Sequence, residues 1–505
     1  MNRQRKILTQ FAFLVTLTCF MYPSLLSVLY NSIWGRSTQW TDYKRNETLK
    51  LQLGPSRLPD LNLSMNCVKP SINDFPGDFM TQEHRLMHGG VVVHILLAIY
   101  LFVALAFVCD DFFIPSLKEI TTKFQLSIDV GGTTLLAAGS SSPEFFTSFI
   151  GVFITESDIG LGCIVGSAVF NMLFVFAICG LFAGCKLQLT PWPLVRDCVC
   201  YILGITALVA VTYDQVIYWY DGALLVSLYL LYLLLMYFNS SIEGYFNRLT
   251  RTKEGDPDVE SKERGNNETE PLLKSHNADD EEMLNISEEI VQIIDGSDDS
   301  PFSVPQGCVS RVLWIITLPI SCLFYITIPK WCSNRWEKGY LISFFLSVMW
   351  IALLTYALVW MVLTIGFTIG IPDVVMSLTF LAAGNSTADG ISSLIVARQG
   401  NGDMAAANVV RSNLFDILLC LGLPWLVKTT VVDFGGYILV QSGSMIYSSL
   451  FLYGTVFVVI FLLVVNKWYL NKCSGIAFLI LYLGFTSVAI LLGLNVFGNF
   501  NLPPC

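Results

Sequence analysis

The stretch Leu135–Phe149, LLAAGSSSPEFFTSF, places a glycine, three serines, a proline and a glutamate inside an apolar run. A second stretch, Phe380–Leu394, has the sequence FLAAGNSTADGISSL and carries an aspartate where the first carries the glutamate. An ionised carboxylate is strongly destabilising in apolar surroundings unless it is paired or coordinates a metal ion. The two stretches therefore predict a buried polar site.

The composition indicates an integral membrane protein. Of the 505 residues, 54% are hydrophobic and 13% are charged, whereas about 25% are charged in average soluble proteins. A spanning helix needs about 20 apolar residues, and we identify ten core segments of this kind. They lie at 91–109, 130–154, 159–183, 194–211, 217–238, 340–364, 371–397, 404–427, 446–465 and 476–496. The predicted fold class is an all-α integral membrane protein with ten core transmembrane helices.

The N-terminal region predicts delivery of a polar segment across the membrane. Residues 1–30 begin with basic residues before an apolar stretch, which is typical of a signal peptide or an uncleaved anchor. Residues 31–89 are polar and contain glycosylation sequons at Asn46 and Asn62. Because sequons are used outside the cytoplasm, we expect 31–89 to be extracellular or lumenal.

The middle of the chain changes in composition. Residues 239–308 are charged and poor in aromatic residues, which is typical of a disordered loop. We expect a cytoplasmic loop with a short amphipathic helix near 283–294. Cys67 and Cys505 are expected outside the membrane, where a disulfide between them is possible.

The distribution of basic residues decides the topology of the second half. The apolar segment 312–328 is interrupted by Pro319. If it does not cross, basic residues collect on the cytoplasmic side, as the positive-inside rule requires. These residues are Lys118, Lys123, Lys186, Arg196, Arg248, Arg251, Lys253, Arg398, Lys467 and Lys472. We therefore predict an interfacial or re-entrant connector at 309–339.

The two polar stretches belong to an internal repeat. Matched positions differ by 245 in residue number, as for Glu144 and Asp389. The same offset pairs Gly139 with Gly384, Ser141 with Ser386, Ser148 with Ser393, Asp158 with Asp403, Ser167 with Ser412 and Asn171 with Asp416. Five helices before the loop and five after it make the repeats, 90–238 and 340–498, inverted. Inverted repeats with interrupted helices are typical of secondary transporters with a site at the midplane.

The paired acids indicate a site for hard cations. Two carboxylates that converge at the membrane centre suit Ca²⁺, which takes 6–8 oxygen ligands at about 2.3–2.6 Å. Gly139, Pro143 and Gly384 weaken the helices beside the acids, so that backbone carbonyls can also face the ion. The candidate metal ligands are Glu144, Asp389, Asp416, Asn171, Ser140, Ser141, Asn385, Ser386, Ser167, Ser412, Ala137 and Ala382. An anionic site of this kind predicts competition between one divalent ion and several monovalent ions.

At these residues the sequence resembles the potassium-dependent sodium/calcium exchangers, solute carrier family 24. The resemblance rests on AAGSSSPEFFTSFIGVFITESDIG, VGSAVFN, IPD, SNLFD, FPGDFMTQEHR and PWPLVRDC. It implies that Glu144 and Asp389 bind calcium and sodium, and that Asp416 confers potassium dependence. The implied activity is export of Ca²⁺, with K⁺, against inward Na⁺, in the plasma membrane rather than an organelle.

The second repeat departs from the family pattern at two places. Ala388 stands where the family has proline, which predicts a less interrupted helix. Arg411 stands where the family has the glycine of G-S-N. Either the arginine side chain extends away along its helix, or its guanidinium lies near Asp416 and replaces or repels a cation.

Other functions remain as alternatives. Exchange without K⁺, coupled to Na⁺ or H⁺, uses the same carboxylates, and Arg411 also allows a transport-inactive, exchanger-like protein. Tyr213-Asp214 and the Gly-Asn-Gly-Asp sequence ending at Asp403 resemble motifs of intramembrane aspartyl proteases, although no Pro-Ala-Leu follows. We expect no enzyme, no bound cofactor, no zinc site and no nucleic-acid partner; membrane lipid and the transported cations are the expected partners.

Overall fold

The computed structural model describes residues 70–87, 89–123, 139–237, 308–328, 339–440, 443–494 and 496. The predicted helix at 283–294, both sequons, the Cys67–Cys505 pair and Ala137 lie outside these residues. The described chain is almost entirely helical, because backbone groups in lipid must form hydrogen bonds within their own segment.

The helices and strands follow the apolar segments. The first part of the chain contains a 3₁₀ helix at Ser71–Asp74, then α1 (Gln82–Met87), α2 (Gly90–Val108), α3 (Ile114–Lys123), α4 (Ser142–Phe153), α5 (Ile159–Val169), α6 (Phe176–Phe182), β1 (Leu187–Gln188), α7 (Pro191–Thr212), β2 (Val216–Ile217) and α8 (Trp219–Tyr237). The second part contains α9 (Cys308–Thr327), α10 (Gly339–Ile369), α11 (Asp373–Met376), α12 (Ala382–Asn385), α13 (Thr387–Arg398), α14 (Gly402–Phe415), α15 (Gly422–Val427), β3 (Ile438–Leu439), α16 (Gly443–Val465), β4 (Tyr469–Leu470) and α17 (Lys472–Gly493). Short π-helical segments join several of them, at Cys109–Phe113, Phe170–Val175, Ser377–Leu381, Asp416–Cys420 and Lys428–Val432.

The all-α membrane architecture is confirmed. Among the described residues, eight helices are long and apolar enough to cross a membrane. They are Gly90–Leu117, Ile159–Phe182, Pro191–Thr212, Trp219–Met236, Tyr340–Ile369, Gly402–Val432, Ser448–Val465 and Lys472–Gly493. The other two predicted segments, 130–154 and 371–397, contain the acids and are interrupted or lie partly outside the described residues. The count of ten therefore stays a prediction.

Two short strand pairs relate the halves to each other. β1 and β2 lie at the two ends of α7, and β3 and β4 lie at the two ends of α16. β1 pairs with β4, and β2 pairs with β3, both antiparallel. The start of α7 therefore meets the end of α16, and these two long helices run in opposite directions. Antiparallel helices at matching places in the two halves are what inverted repeats produce.

One face of the bundle carries four of the basic residues named by the charge argument. Arg398 Nε donates to the Phe182 carbonyl at 3.0 Å, which brings the end of α13 to the end of α6. Lys186 directly precedes β1, and Lys467 and Lys472 flank β4, the partner of β1. These residues therefore share the face that carries the β1–β4 pair.

The segment at 312–328 forms a continuous helix, α9, that includes Pro319. Phe324 in its C-terminal half is fully buried against the rings of Phe107 and Phe112. Trp350 Nε1 of α10 donates to Thr327 Oγ1 at 2.9 Å. This half of α9 packs on α2 and α10, while the interfacial placement of the whole connector stays a prediction.

Gly166 permits the closest approach of α5 to the second half. A Cβ atom there would overlap the backbone carbonyl of Leu378 and lie 2.6 Å from the Ala382 Cβ atom. Backbone atoms cannot move aside as a side chain end can. The crossing at the centre of the bundle therefore requires glycine at this position.

We expect Gly166→Ala to destabilise the protein, because overpacking a core typically costs about 1–3 kcal/mol. The measurement is thermal unfolding of the detergent-solubilised full chain. Gly454→Ala in α16 is the matched control, since a Cβ there has no heavy atom within 4 Å. A melting temperature for Gly166→Ala equal to that of the control would contradict the assigned crossing.

Candidate cation site

Both repeats turn at equivalent serines next to their acids. Ser141 has φ −91° and ψ 11°, and Ser386 has φ −76° and ψ 4°, so each departs from helical geometry immediately before α4 or α13. Glu144 and Asp389 consequently lie in the first turn of these helices. Unpaired N–H groups and the helix dipole favour negative charge at this position.

The prediction that Ala388 leaves its helix less interrupted is wrong at the turn itself. α4 has Pro143 in its first turn, and α13 has Ala388 at the matching place, yet the backbone turns at the same point in both. The ψ angle at Ser386 differs from that at Ser141 by only a few degrees. Proline is therefore compatible with the turn but does not create it.

Three carboxylates meet in the interior of the protein. Glu144, Asp389 and Asp416 are each 0% exposed. Asp416 begins a π-helical segment after α14, and its repeat equivalent Asn171 lies in the π-helical segment after α5. Single π-turns within α-helices occur frequently at functional sites. The acids thus come from two interrupted helices and one π-turn.

Hydrogen bonds between the halves hold these groups together. Ser386 Oγ donates to Glu144 Oε1 at 3.2 Å. Asn171 Nδ2 donates to Asp389 Oδ2 at 3.3 Å. In each bond a polar residue of one repeat contacts an acid of the other. The predicted grouping of these four residues is therefore present in the structure.

Three of the other predicted hydroxyls lie near the acids. Ser140 and Ser412 approach the Asp389 carboxylate, and Ser141 approaches that of Asp416. Asn385 Nδ2 donates to Thr147 Oγ1 at 3.1 Å, which leaves its oxygen for another partner.

The predicted role of the Ala382 carbonyl as an unpaired ligand is wrong. It accepts hydrogen bonds from Ser386 N at 3.1 Å and from Ser167 Oγ at 3.3 Å. The helix Ala382–Asn385 continues through Gly384, where the sequence predicted a weakened helix. Ser167 therefore binds the backbone at the crossing instead of facing an acid.

Several buried oxygen atoms of the site have no hydrogen-bond partner among the described residues. Five of them belong to carboxylates or amides, namely Glu144 Oε2, Asn171 Oδ1, Asn385 Oδ1, Asp389 Oδ1 and Asp416 Oδ2, and a sixth is the Ser141 hydroxyl. Nearly all buried polar groups in proteins are hydrogen-bonded, and exceptions need an explanation such as an ion. All five are acceptor oxygens from carboxylates or amides, so the group that satisfies them must be a cation or a donor.

The site differs from a preformed transition-metal cluster. Within the described ranges, no three His, Cys, Asp or Glu side chains form a group that could hold a metal ion. The acids are instead separated by amides and hydroxyls, which are neutral oxygen ligands. Hard cations such as Ca²⁺ and Na⁺ suit this mixture.

Asn413 is a residue of the site that the sequence analysis missed. Its Oδ1 accepts from Asn171 Nδ2 at 3.0 Å, and its Nδ2 donates to the Ala168 carbonyl at 3.3 Å. It therefore orients the amide that contacts Asp389. The sequence signal for Asn413 was its position in SNLFD, three residues before Asp416. The repeat comparison did not select it, because its equivalent in the first repeat is the apolar Ala168.

Arg411 lies away from the acids. Its Nε donates to Asp197 Oδ2 at 3.0 Å, and Asp197 also pairs with Arg196 at 2.8 Å. Asp197 is 1% exposed on α7 and needs such partners. The hypothesis that the Arg411 guanidinium lies near Asp416 is therefore wrong, and the arginine links α14 to α7.

The two aspartates of the protease hypothesis are on opposite sides of the bundle. Asp403 accepts from the Thr190 backbone N–H just before α7, whereas Asp214 follows the end of α7. α7 has 22 residues, and a helix of that length extends about 33 Å. The two carboxyl groups cannot share a proton, so this alternative is excluded.

Comparisons with known proteins agree with the resemblance. The sodium/calcium exchanger protein family matches residues 94–238 and 339–491. Sodium/potassium/calcium exchanger 3 of Homo sapiens is 37% identical, covering 88% of this chain and 87% of its own. Sodium/potassium/calcium exchanger 5 of Homo sapiens is 37% identical, covering 89% and 93%.

Among solved structures, the H⁺/Ca²⁺ exchanger CAX has a TM-score of 0.48 at 10% identity, covering 80% of this chain and 86% of that one. The family match covers more than half of the chain, and the curated relatives match it nearly from end to end. The protein therefore belongs to the sodium/calcium exchanger family, among the sodium/potassium/calcium exchangers.

Proposed function

We propose that this protein is a secondary antiporter that exports Ca²⁺, together with K⁺, against inward Na⁺. The observation that carries the proposal is the set of buried acceptor oxygens, contributed by both repeats, that have no hydrogen-bond partner among the described residues. The relatives named above are described as exchangers of sodium, potassium and calcium. A site of carboxylate and amide oxygens is able to bind each of these ions in turn.

The charges of the acids support a site for more than one ion. Glu144 and Asp389 together balance one Ca²⁺ ion. Asp416 is equally buried, and an uncompensated buried charge is strongly destabilising. A monovalent cation such as K⁺ beside Ca²⁺ balances the third carboxylate. Three Na⁺ ions provide the same charge in the opposite half-cycle.

Arg411 does not alter this balance. Its guanidinium pairs with Asp197, so it contributes no positive charge to Asp416. We therefore favour K⁺-dependent exchange. K⁺-independent exchange coupled to Na⁺ or H⁺ remains the second candidate, because protons also neutralise carboxylates. The transport-inactive alternative has lost its main support, because Arg411 lies away from the site.

The proposal includes an orientation and a location. The basic face with the β1–β4 pair is cytoplasmic, following the positive-inside rule. The polar segment 31–89 is then extracellular and follows a signal peptide or anchor at 1–30. The loop 239–308 is cytoplasmic, and the connector 309–339 joins it to the second repeat, so that the repeats are 90–238 and 340–498. The plasma membrane is the proposed location, and the binding groups Glu144 and Asp389 stay fixed while the surrounding helices open to either side.

We expect Glu144→Gln and Asp389→Asn each to reduce Na⁺-driven Ca²⁺ flux by roughly 100-fold, because loss of one member of a buried charge pair costs about 3 kcal/mol. Flux is measured in cells with an imposed outward Na⁺ gradient and normalised to surface expression. Asp214→Asn, which removes an exposed acid near β2, is the control and should retain flux. Normal flux in either site variant would exclude the assigned ligands.

Asp416→Asn and Arg411→Gly test the potassium assignment. We expect Asp416→Asn to abolish the dependence of Ca²⁺ flux on K⁺, because the variant has no third carboxylate whose charge a monovalent cation must balance. Arg411→Gly should keep the K⁺ dependence of the unmodified protein, since its side chain contacts Asp197. Both are measured as flux against K⁺ concentration. Flux that first becomes detectable in Arg411→Gly would instead support the transport-inactive alternative.

A further inference from the structure

A thiol lies directly beside the third carboxylate. Cys420 is fully buried and is the last residue of the π-helical segment that begins with Asp416. Its Sγ lies 3.7 Å from Asp416 Oδ1 and 3.9 Å from the backbone oxygen of Ser141. The five-residue π-helical segment thus brings a sulfur and a carboxylate to one edge of the site, next to the backbone carbonyl of Ser141.

Exchange of Ca²⁺, Na⁺ and K⁺ makes no use of this sulfur. Hard cations prefer oxygen ligands, whereas thiolates favour softer ions such as Zn²⁺ and Cd²⁺. Asp416 Oδ2 is buried and has no partner among the described residues. Its other oxygen, Oδ1, accepts a weak hydrogen bond from the Cys420 thiol. The carboxylate and the thiol therefore place an oxygen ligand and a sulfur ligand next to each other.

The distances match two ligands of a single ion. Zn–S bonds of about 2.3 Å and Zn–O bonds of about 2.1 Å in tetrahedral geometry separate sulfur from oxygen by about 3.6 Å. The observed Sγ–Oδ1 distance of 3.7 Å is close to this value. The 3.9 Å distance to the Ser141 oxygen fits a somewhat larger ion. One carboxylate, one thiol and one carbonyl leave a fourth position for water.

We propose that Asp416, Cys420 and the Ser141 carbonyl form a binding site for soft divalent cations, with Cd²⁺ as the best fit. Binding displaces the thiol proton to solvent, because a coordinating thiol is deprotonated. The bound ion would occupy the position proposed for K⁺ and block exchange. The binding itself depends only on the geometry, while the block also rests on the proposed function.

Cys163 provides the matched control. Its Sγ accepts from Asn385 Nδ2 at 3.4 Å and is buried like Cys420. It lies at the same site but contacts an amide instead of a carboxylate. A serine at either position keeps a small polar group. Cys420→Ser removes the thiol beside Asp416, whereas Cys163→Ser removes a thiol of the same site and leaves that one in place.

Binding is tested on the purified full chain in detergent with CdCl₂. Thiolate coordination gives an ultraviolet charge-transfer band, which other cysteines of the chain also contribute to. We expect Cys420→Ser to lose the band of one Cd²⁺ equivalent, and Cys163→Ser to keep it. Asp416→Asn should weaken the same band, which provides a second test if Cys420→Ser does not fold. An unchanged band in Cys420→Ser, or an equal loss in both cysteine variants, would overturn the proposal.

Inhibition is tested on Ca²⁺ flux, with each variant normalised to its own flux without Cd²⁺. We expect the half-inhibitory Cd²⁺ concentration to rise at least about tenfold in Cys420→Ser, and raised K⁺ to weaken inhibition in the unmodified protein. A half-inhibitory Cd²⁺ concentration that changes neither with K⁺ nor in Cys420→Ser would refute the block at this position. If no variant transports Ca²⁺, the proposed function fails, and the charge-transfer band still decides whether Cd²⁺ binds.

Discussion

The central constraint on this protein is the burial of three carboxylates in a bundle that spans a membrane. Glu144, Asp389 and Asp416 are fully removed from solvent, and an ion taken into such surroundings loses several kcal/mol of hydration energy. Serine and asparagine hydrogen bonds satisfy one oxygen of Glu144 and one of Asp389. Glu144 Oε2, Asp389 Oδ1 and Asp416 Oδ2 have no partner among the described residues, so a cation or a hydrogen-bond donor must satisfy them.

The opposite orientation of the two halves explains how carboxylates from both halves reach one point in the interior. The turns at Ser141 and Ser386 place each acid at a helix N-terminus, and the antiparallel halves direct these two ends at each other. The Ser386–Glu144 and Asn171–Asp389 hydrogen bonds run between the halves. Gly166 then allows the two central helices to approach closely enough for those bonds to form. Neither half contains a complete site.

The sequence predicted the helices and the acids because both depend on local rules. Apolar runs give spanning helices, and a constant offset of matched polar residues gives a shared site. It did not predict the contacts of Asn413, the bond from Ser167 to the Ala382 carbonyl or the pairing of Arg411 with Asp197, because each depends on a partner more than 200 residues away. The π-turn that brings Cys420 to Asp416 also has no sequence pattern of its own.

The position of Arg411 follows from helix geometry once Asp197 is known. Arg411 and Asp416 are five residues apart, which separates their side chains by about 140° around an α-helix. Arg411 therefore faces α7, where the buried Asp197 attracts a second cation beside Arg196. Since the arginine satisfies a carboxylate outside the site, a charged residue replaces glycine without neutralising Asp416. The family pattern is altered here, but the negative charge of the buried site is preserved.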